Sequence, residues 1–382
     1  MKRKTSLLVL SLAILSFYPY STFAQDVTEE KDEAFSFEAS YVGDLINNFS
    51  GGIKTGSSYL GMANILLGFD TEKAGLWNGG QLYVNAANTH GATPSANMLG
   101  DMQVVSNIEA GNHTYLQEFW YKQALGKVEL TVGLQDLNVE FANSEYGSLF
   151  LNSSFGILPV ISTNFSAPIF PLTTLGVTAK WNLSEKISLL GAVYDGNPTD
   201  FEYNPYNIKW RLSSGDGVLA IAELQYNATV NSLPGTYKLG TYSHEHKLNK
   251  EGETDTPDYN LVGFYAYADQ KVWELNKKSL GLFAQLGYSP SDASTNNTYV
   301  GLGANYTGLF TRQGNDVLGL ALAHQHFTDG LSSETTIELT YQYQLTKNIF
   351  IQPDIQYIIN PAGTGATLDN CLTGNVRFGI SF

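Results

Sequence analysis

The chain has 382 residues, of which only 15% are charged, and its net charge of −15 and pI of about 4.7 exclude a nucleic-acid binder, which needs a basic face. Its 13% of aromatic residues exclude a disordered chain, and its single cysteine, Cys371, excludes a disulfide scaffold. With 37 glycines, 23 tyrosines and a mean hydropathy of −0.13, the composition indicates a large β protein, and after residue 24 no apolar run reaches the ~20 residues of a membrane-spanning helix.

Residues 1–24 have the pattern of a secretory signal peptide. Lys2, Arg3 and Lys4 form a basic start, an apolar stretch runs from residue 7 to residue 17, and small residues surround position 24. The alternative is an uncleaved membrane anchor, which the shortness of the apolar stretch disfavours. We therefore expect Sec-dependent export, with cleavage leaving a mature net charge of −18.

Apolar and polar residues alternate along most of the chain after residue 34. Val128, Leu130 and Val132, for example, alternate with polar or small neighbours. This period of two predicts β-strands with one apolar face and one polar face. The predicted strands are, in chain order, residues 35–43, 59–69, 80–88, 113–124, 127–135, 174–182, 187–195, 217–227, 236–246, 259–269, 279–289, 297–308, 317–328, 334–346, 349–359 and 373–382.

The length and spacing of these strands distinguish a membrane barrel from a soluble sandwich. Most have 9–13 residues, whereas soluble strands average ~5–6 and a tilted strand crosses a bilayer in ~9–11. Tight and long connections alternate along the second half of the chain, as in barrels with short periplasmic turns and long outer loops. We predict an all-β fold, a 16-stranded antiparallel transmembrane barrel over residues 35–382, after a periplasmic segment at 25–34. Such a barrel leaves room for an aqueous channel.

Two features fit this barrel less well. Residues 309–316 should form a short turn but are longer than one. Pro353 lies within an otherwise regular strand, where a residue without an N–H removes a ladder hydrogen bond.

The longest connection, residues 136–173, is rich in Phe, Asn, Ser and Gly. A connection of this length without regular structure is unusual in a folded domain. Because it is too apolar to extend freely into water, we expect it to fold into the barrel and narrow the channel. The alternatives are packing over the barrel mouth or at a subunit interface.

Several short motifs follow one another along the mature chain. They are Ser-Asn-Ile-Glu-Ala at 106–110, Leu-Gln-Glu-Phe-Trp-Tyr-Lys-Gln at 116–123, Gly-Leu-Gln-Asp at 133–136, Leu-Phe-Leu-Asn-Ser-Ser-Phe-Gly at 149–156, Val-Tyr-Asp-Gly-Asn-Pro at 193–198 and Ile-Gln-Pro-Asp-Ile-Gln-Tyr-Ile-Ile-Asn-Pro at 351–361. In this set and order the chain resembles the carbohydrate-selective porin family of the OprB type. The resemblance implies a Gram-negative outer-membrane porin of 16 strands, with one loop in the lumen, that lets mono- or small oligosaccharides diffuse passively into the periplasm. It also implies a monomer surrounded by outer-membrane lipids, and recognition of the C-terminal Phe382 by the barrel-assembly machinery.

A sugar channel needs aromatic faces that stack on the apolar side of a pyranose, and charged or amide groups that bind its hydroxyls. Trp120 shares one face of a predicted strand with Glu118 and Lys122, and two acids follow one strand later. We predict a constriction formed by Glu118, Trp120, Asp136, Glu140 and Arg211. The alternatives are a membrane-interface position for Trp120, a simple ion pair of Glu118 with Lys122, and a solvated loop position for Arg211.

Further charged residues are expected on the inward, polar faces of the strands. They are Glu38, Glu129, Lys180, Glu223, Lys238, Glu338, Asp354 and Arg377. Acids outnumber bases in this set, and fixed negative charge disfavours anions, so we predict a weak cation preference. Relatives that favour glucose carry cations at the constriction, whereas this chain has four arginines, at positions 3, 211, 312 and 377.

Two histidine pairs have a spacing that can chelate a metal. His244 with His246 and His324 with His326 each share one strand face, but neither pair has an apparent third ligand. We expect no metal, no cofactor, no nucleic-acid partner and no enzymatic activity. The competing functions are a general or weakly cation-preferring diffusion porin, an outer-membrane barrel enzyme that would use His324 and His326, and a plugged structural barrel.

Overall fold

The computed structural model describes residues 33–212, 215–246, 259–328 and 332–382, and their backbone is dominated by long strands. The predicted signal peptide and the segment preceding residue 33 lie outside these residues. The strands are β1 (Phe35–Ser50), β2 (Gly56–Asp70), β3 (Gly80–Gly91), β4 (His113–Leu125), β5 (Val128–Gln135), β6 (Thr174–Asn182), β7 (Ile187–Asp195), β8 (Val218–Val230), β9 (Leu233–His246), β10 (Tyr259–Leu275), β11 (Lys278–Tyr288), β12 (Asn296–Thr307), β13 (Asp316–Phe327), β14 (Ser333–Thr346), β15 (Ile349–Ile359) and β16 (Cys371–Ser381). Each strand pairs antiparallel with its neighbours in sequence, and β1 pairs with β16 to close the barrel. The predicted 16-stranded all-β fold is confirmed.

The alternation of the sequence becomes an outer and an inner wall. In β5, Leu130 and Val132 are 40% and 52% exposed, whereas Thr131 between them is only 7% exposed. The same contrast separates the exposed Leu320 of β13 from its buried neighbour Ala321. Apolar side chains therefore face outward to lipid, and closure by β1 with β16 pairs the two terminal strands of the sheet.

Some strands run further than their sequence pattern predicts. β1 continues to Ser50, although the prediction ended it at residue 43. Its inward side chains Val42 and Ile46 are apolar because they pack against an inner loop, residues 92–112. Apolar residues therefore occur on both faces of this part of β1, and the period of two is interrupted there.

The two-residue turns all lie at one end of the barrel and the longest loops at the other, although the connection at 71–79, at the short-turn end, has nine residues. The turns at 126–127, 231–232, 276–277 and 347–348 have two residues each. The eight-residue connection at 308–315 is the anomaly noted in the sequence, and the Asp316 carboxylate stabilises it by accepting the N–H groups of Phe310 at 2.8 Å and Thr311 at 3.1 Å.

Pro353 is accommodated by a break in one ladder. The β14–β15 register runs to Thr340 opposite Asp354 and resumes at Tyr343 opposite Ile351. Beside the break, the Gln342 amide donates to Gln352 Oε1 at 3.1 Å, so side chains replace backbone pairing next to the proline.

Outward aromatic residues gather near the short turns. Trp77 Nε1 donates to the Tyr121 hydroxyl at 2.9 Å, and the rings of Trp273 and Tyr306 stack at 6.0 Å. Trp181, 50% exposed, lies at the same end. Amphipathic rings of this kind favour the membrane–water interface, which explains much of the aromatic content of the chain.

Short helical turns occur only within connections of the described chain. They are a π-helical turn at Ser95–Leu99, α1 (Leu137–Glu140), α2 (Ser153–Gly156), α3 (Pro159–Ser162), and 3-10 turns at Gly147–Leu149, Pro361–Gly363 and Gly365–Thr367. Within the described residues, no helix has the length and apolar character needed to span a membrane.

Candidate channel constriction

The connection of residues 136–173, the constriction loop, lies inside the barrel. Three inward-facing carboxylates of the wall accept backbone N–H groups from it, which fixes its path across the lumen. The pairs are Ala142 N to Glu223 Oε2 at 2.8 Å, Tyr146 N to Asp269 Oδ1 at 3.0 Å, and Leu151 N to Glu338 Oε1 at 2.6 Å. The wall therefore holds the loop by charge-assisted hydrogen bonds rather than leaving it over the barrel mouth.

Apolar packing holds the same loop against one side of the lumen. Its buried side chains include Phe141, Phe150, Phe155, Leu158 and Val160, and they pack against inward apolar and aromatic residues of β7 to β13. Gly281 of β11 leaves room for this contact, because a Cβ there would lie 2.3 Å from the Tyr146 ring. The apolar composition of the loop is thus explained by an internal core, in line with the predicted inward fold.

The inner loop of residues 92–112 fills the opposite side. Its Val105 and Ile108 pack with Val42 and Ile46 of β1. The Ser106 hydroxyl donates to Asp44 at 2.6 Å, which ties this loop to the seam between β1 and β16.

A cavity of about 690 Å³ remains between the two loops and the wall, which β1 to β4, β9, β10 and β16 form. Among the predicted site residues, Glu118 and Asp136 line it, as do Lys238 and Arg377 of the predicted wall set. The other lining residues combine amides, hydroxyls and carboxylates with apolar side chains such as Met62, Ile157 and Phe170. The polar groups among them suit the passage of polar solutes.

Trp120 points inward beside this cavity. Its ring stacks on Tyr83 with centroids 4.8 Å apart, and its Nε1 donates to Glu118 Oε1 at 3.2 Å. On the same face, Lys122 forms an ion pair with Glu140 at 3.2 Å. The structure therefore brings Glu118, Trp120 and Glu140 into one cluster on β4 and the adjoining loop.

Asp136 joins the two ends of the constriction loop. Its Oδ1 accepts the N–H of Asn138 at 2.9 Å and caps α1, while Oδ2 accepts the N–H of Phe170 at 3.0 Å. Gln117, at a bulge in β4, contacts the same carboxylate at 3.4 Å. Burial raises the pKa of Asp136 to about 6.

Arg211 is not brought to this cluster. It is exposed in the connection of residues 196–217, where it borders a small cleft with Asp195 and Trp210. The residues that line the large cavity do not include it. Its predicted place in the constriction therefore has no support in the geometry.

The predicted wall residues lie at inward positions with differing partners. Glu129 and Lys180 are opposite one another in the β5–β6 register, and Lys238 donates to the Asn143 carbonyl at 2.8 Å. Glu38 is exposed near the short-turn end of β1. Glu223 and Glu338 bind the constriction loop, Asp354 accepts from the Asn375 amide at 2.9 Å, and Arg377 pairs with Asp44.

Several lining residues were not singled out from the sequence. Tyr83 supplies the second ring of the aromatic pair, and the Asn64 amide donates to Asn85 Oδ1 at 3.0 Å beside it. The alternation along β2 and β3 indicated that Tyr83, Asn64 and Asn85 face inward. Their proximity to Trp120, however, depends on the register between the strands. Tyr83 lies opposite Trp120 in the β3–β4 register.

The histidine pairs have structural partners. His244 is buried, its Nε2 donates to the Gly196 carbonyl at 2.7 Å, and its ring stacks on Phe165 with centroids 4.5 Å apart. His324 bonds Thr335 Oγ1 at 2.7 Å, and His326 bonds Ser333 Oγ at 3.0 Å. Among the described residues, no group of three or more His, Cys, Asp or Glu side chains is arranged to hold a metal.

A closed barrel of 16 strands, narrowed by inward loops around a cavity with an adjoining aromatic pair, defines a porin. The profile of the carbohydrate-selective porin, OprB family, matches residues 54–382, and the chain belongs to this family. The predicted resemblance is confirmed. The protein is a channel for passive diffusion of carbohydrates, and its fold and family place it in the outer membrane of a Gram-negative bacterium.

Individual relatives agree with this assignment. Porin B of Pseudomonas aeruginosa is 24% identical over 93% of this chain and 89% of its own length. Putative porin QuiX of Acinetobacter baylyi is 22% identical over 90% of this chain and 88% of its own. The high-pH structure of Pseudomonas putida OprB has a TM-score of 0.83, 20% identity and coverage of 92% of this chain and 95% of that one, which shows the shared fold. These relatives are porins rather than enzymes.

Proposed function

We propose that mono- or small oligosaccharides pass through the 690 Å³ cavity, which Glu118 and Asp136 line, beside the adjoining cluster of Trp120 and Glu140. The observation that carries this proposal is the stacked Trp120–Tyr83 pair, which Glu118 holds by a hydrogen bond at 3.2 Å. An aromatic face binds the apolar side of a pyranose, and neighbouring carboxylates and amides bind its hydroxyls. Contacts of this kind are weak enough for release.

Liposome swelling tests this function directly. We expect faster swelling in glucose and maltose than in a neutral non-sugar of similar size, and Trp120→Ala should lower this ratio several-fold because it removes the stacking face. Trp181→Ala is the matched control, since this outward residue is 50% exposed and far from the lumen face. Equal rates for sugars and the non-sugar in the unmodified channel would support a general porin, and an absence of swelling would support a plugged barrel.

We also propose a weak cation preference. The acids that line the cavity are Glu109, Glu118, Asp136, Glu145 and Asp269, against the cations Lys238 and Arg377. Arg377 is already neutralised by Asp44, whose carboxylate oxygens lie 2.7 Å from it. The fixed charge along the path is therefore negative, which concentrates cations and repels anions.

This preference should depend on pH. Burial, with repulsion from Asp101 added, raises the pKa of Glu109 to about 7, and burial raises that of Asp136 to about 6. Both carboxyls are charged at about pH 8 and largely neutral at about pH 5, so the cation preference should fall as the pH falls through this window. Reversal potentials in a KCl gradient measure it. Glu109→Gln should remove the upper part of the titration, and anion preference at about pH 8 would contradict the assignment.

We also propose how the chain is exported and assembled. It is expected to be exported by the Sec pathway, to act as a monomer, and to be recognised by the barrel-assembly machinery through Phe382. This residue is 72% exposed at the end of the closing strand, where such a contact is accessible. Sedimentation in detergent tests the monomer, and deletion of Phe382 should slow assembly in cells without changing the purified channel.

A further inference from the structure

The outer wall has a gap beside β4, and the connection of residues 196–217 fills it. β5 and β6 have only eight and nine residues, and the β4–β5 ladder ends at Phe119 opposite Leu134. β4 continues beyond that point to His113, so its backbone groups there need other partners. In a membrane an open strand edge of this kind is strongly unfavourable.

Two residues of the connection supply those partners. The N–H of Leu116 donates to the Tyr206 carbonyl at 3.0 Å, and the Asn207 amide donates to the Leu116 carbonyl at 3.2 Å. The same amide reaches Thr173 Oγ1 at 3.0 Å, which links the connection to the start of β6. Asn207 has a φ of 48°, a left-handed conformation that Asn tolerates better than most residues. The connection therefore behaves as a piece of the wall.

The outer face of this piece is an apolar strip. Tyr206, Ile208, Trp210 and Leu212 are 60%, 59%, 39% and 75% exposed. Trp210 stacks on the outward ring of Phe119 at 5.6 Å, and its Nε1 donates to the Asn207 carbonyl at 2.8 Å. Through this contact the strip is continuous with the apolar outer wall of β4, so lipid that covers one also reaches the other.

We infer that residues 206–212 form a lipid-contacting strip of the outer wall, with acyl chains on the apolar side chains and an anionic headgroup phosphate at Lys209 and Arg211. Both cations are exposed and flank Trp210, a residue type that favours the membrane interface. The acids nearby are Asp195, Asp200, Glu202 and Asp216. Asp216 is only 4% exposed and is therefore withdrawn from this surface, whereas Asp200 is exposed and its Oδ1 accepts the Glu202 N–H at 2.8 Å. A solvent-exposed outer loop would gain nothing from four exposed apolar residues within a stretch of seven.

Spin labels in reconstituted vesicles test this placement. In a Cys371→Ser background, a nitroxide at Ile208→Cys should be accessible to oxygen and protected from an aqueous nickel chelate, as at Leu339→Cys, which is 45% exposed on the outer wall. Glu185→Cys, exposed in a short turn, should show the reverse. Heat-modifiable electrophoretic mobility reports whether each labelled variant is folded. If the label at position 208 prevents folding, Leu212→Cys is used for the same measurement.

The headgroup contact has its own readout. The double variant Lys209→Gln/Arg211→Gln should retain several-fold less added phosphatidylglycerol in detergent than the unmodified protein, with phosphatidylcholine unaffected. Lys127→Gln/Lys186→Gln, which removes two exposed cations at the short-turn end, should retain the unmodified amount. Accessibility of the label at position 208 to the nickel chelate would overturn the lipid strip. Dipolar broadening between labels would also overturn it, because it would show that a second copy of the chain covers this surface. Unchanged phosphatidylglycerol retention would overturn the headgroup contact.

Discussion

Replacing residues 137–172 by a short Gly–Ser turn is expected to raise the single-channel conductance several-fold. Gln135 and Thr174 are paired neighbours in the β5–β6 register, so a tight turn can join the two strands without disturbing them. The replacement removes the buried aromatic residues of the constriction loop from the lumen. It also returns Glu223, Asp269 and Glu338 to water, which increases the negative charge of the widened channel.

A milder variant separates the volume of the loop from its attachment. Asp269→Asn retains the bulk of the loop but weakens the charge-assisted bonds to Ser144 and Tyr146. It should increase current fluctuations with little change in mean conductance, because the loop still fills the lumen. If the folded replacement variant conducts as the unmodified channel does, the constriction loop does not limit the current.

The strands were predictable because each must present an apolar face to lipid along nearly its whole length. The period of two marks this requirement in the sequence of a single strand, as in Leu130 and Val132 with Thr131 between them. The prediction weakens where an inner loop covers the wall. Val42 and Ile46 are apolar on the inward side, so β1 lost its alternation after residue 43.

The site was predictable only in part, since it depends on contacts between distant segments. The alternation along β4 predicted that Trp120 and Glu118 share the inward face, and the two side chains form a hydrogen bond on that face. The register that sets Tyr83 opposite Trp120 is not encoded in either strand alone. Arg211 was assigned to the lumen from its sequence position, whereas the short ladders of β5 and β6 draw its connection onto the outer wall.

Removing the carboxylate of Asp44 is expected to be the most destabilising single change in the wall. Asp44 and Arg377 are opposite one another where β1 meets β16, are 0% and 2% exposed, and share two hydrogen bonds of 2.7 Å. Asp44→Ala leaves a buried guanidinium without its counter-ion, which should lower the free energy of unfolding by about 3–5 kcal/mol. Urea unfolding followed by heat-modifiable mobility measures this loss.

The double variant Asp44→Ala/Arg377→Met identifies the cause. Because it removes both charges, the double variant should be more stable than Asp44→Ala. If the single variant lost stability only through poorer packing at the seam, the double variant would lose as much unfolding free energy or more. Ser106→Ala provides a local control, since it removes the hydroxyl that contacts Asp44 and Arg377 but leaves the two hydrogen bonds between them in place. Arg377 also lines the cavity, so the unpaired cation of Asp44→Ala should move the reversal potential towards anions, and the double variant should restore it. Equal stability of the single and double variants, with equal reversal potentials, would show that the pair neither closes the barrel nor sets the charge of the channel.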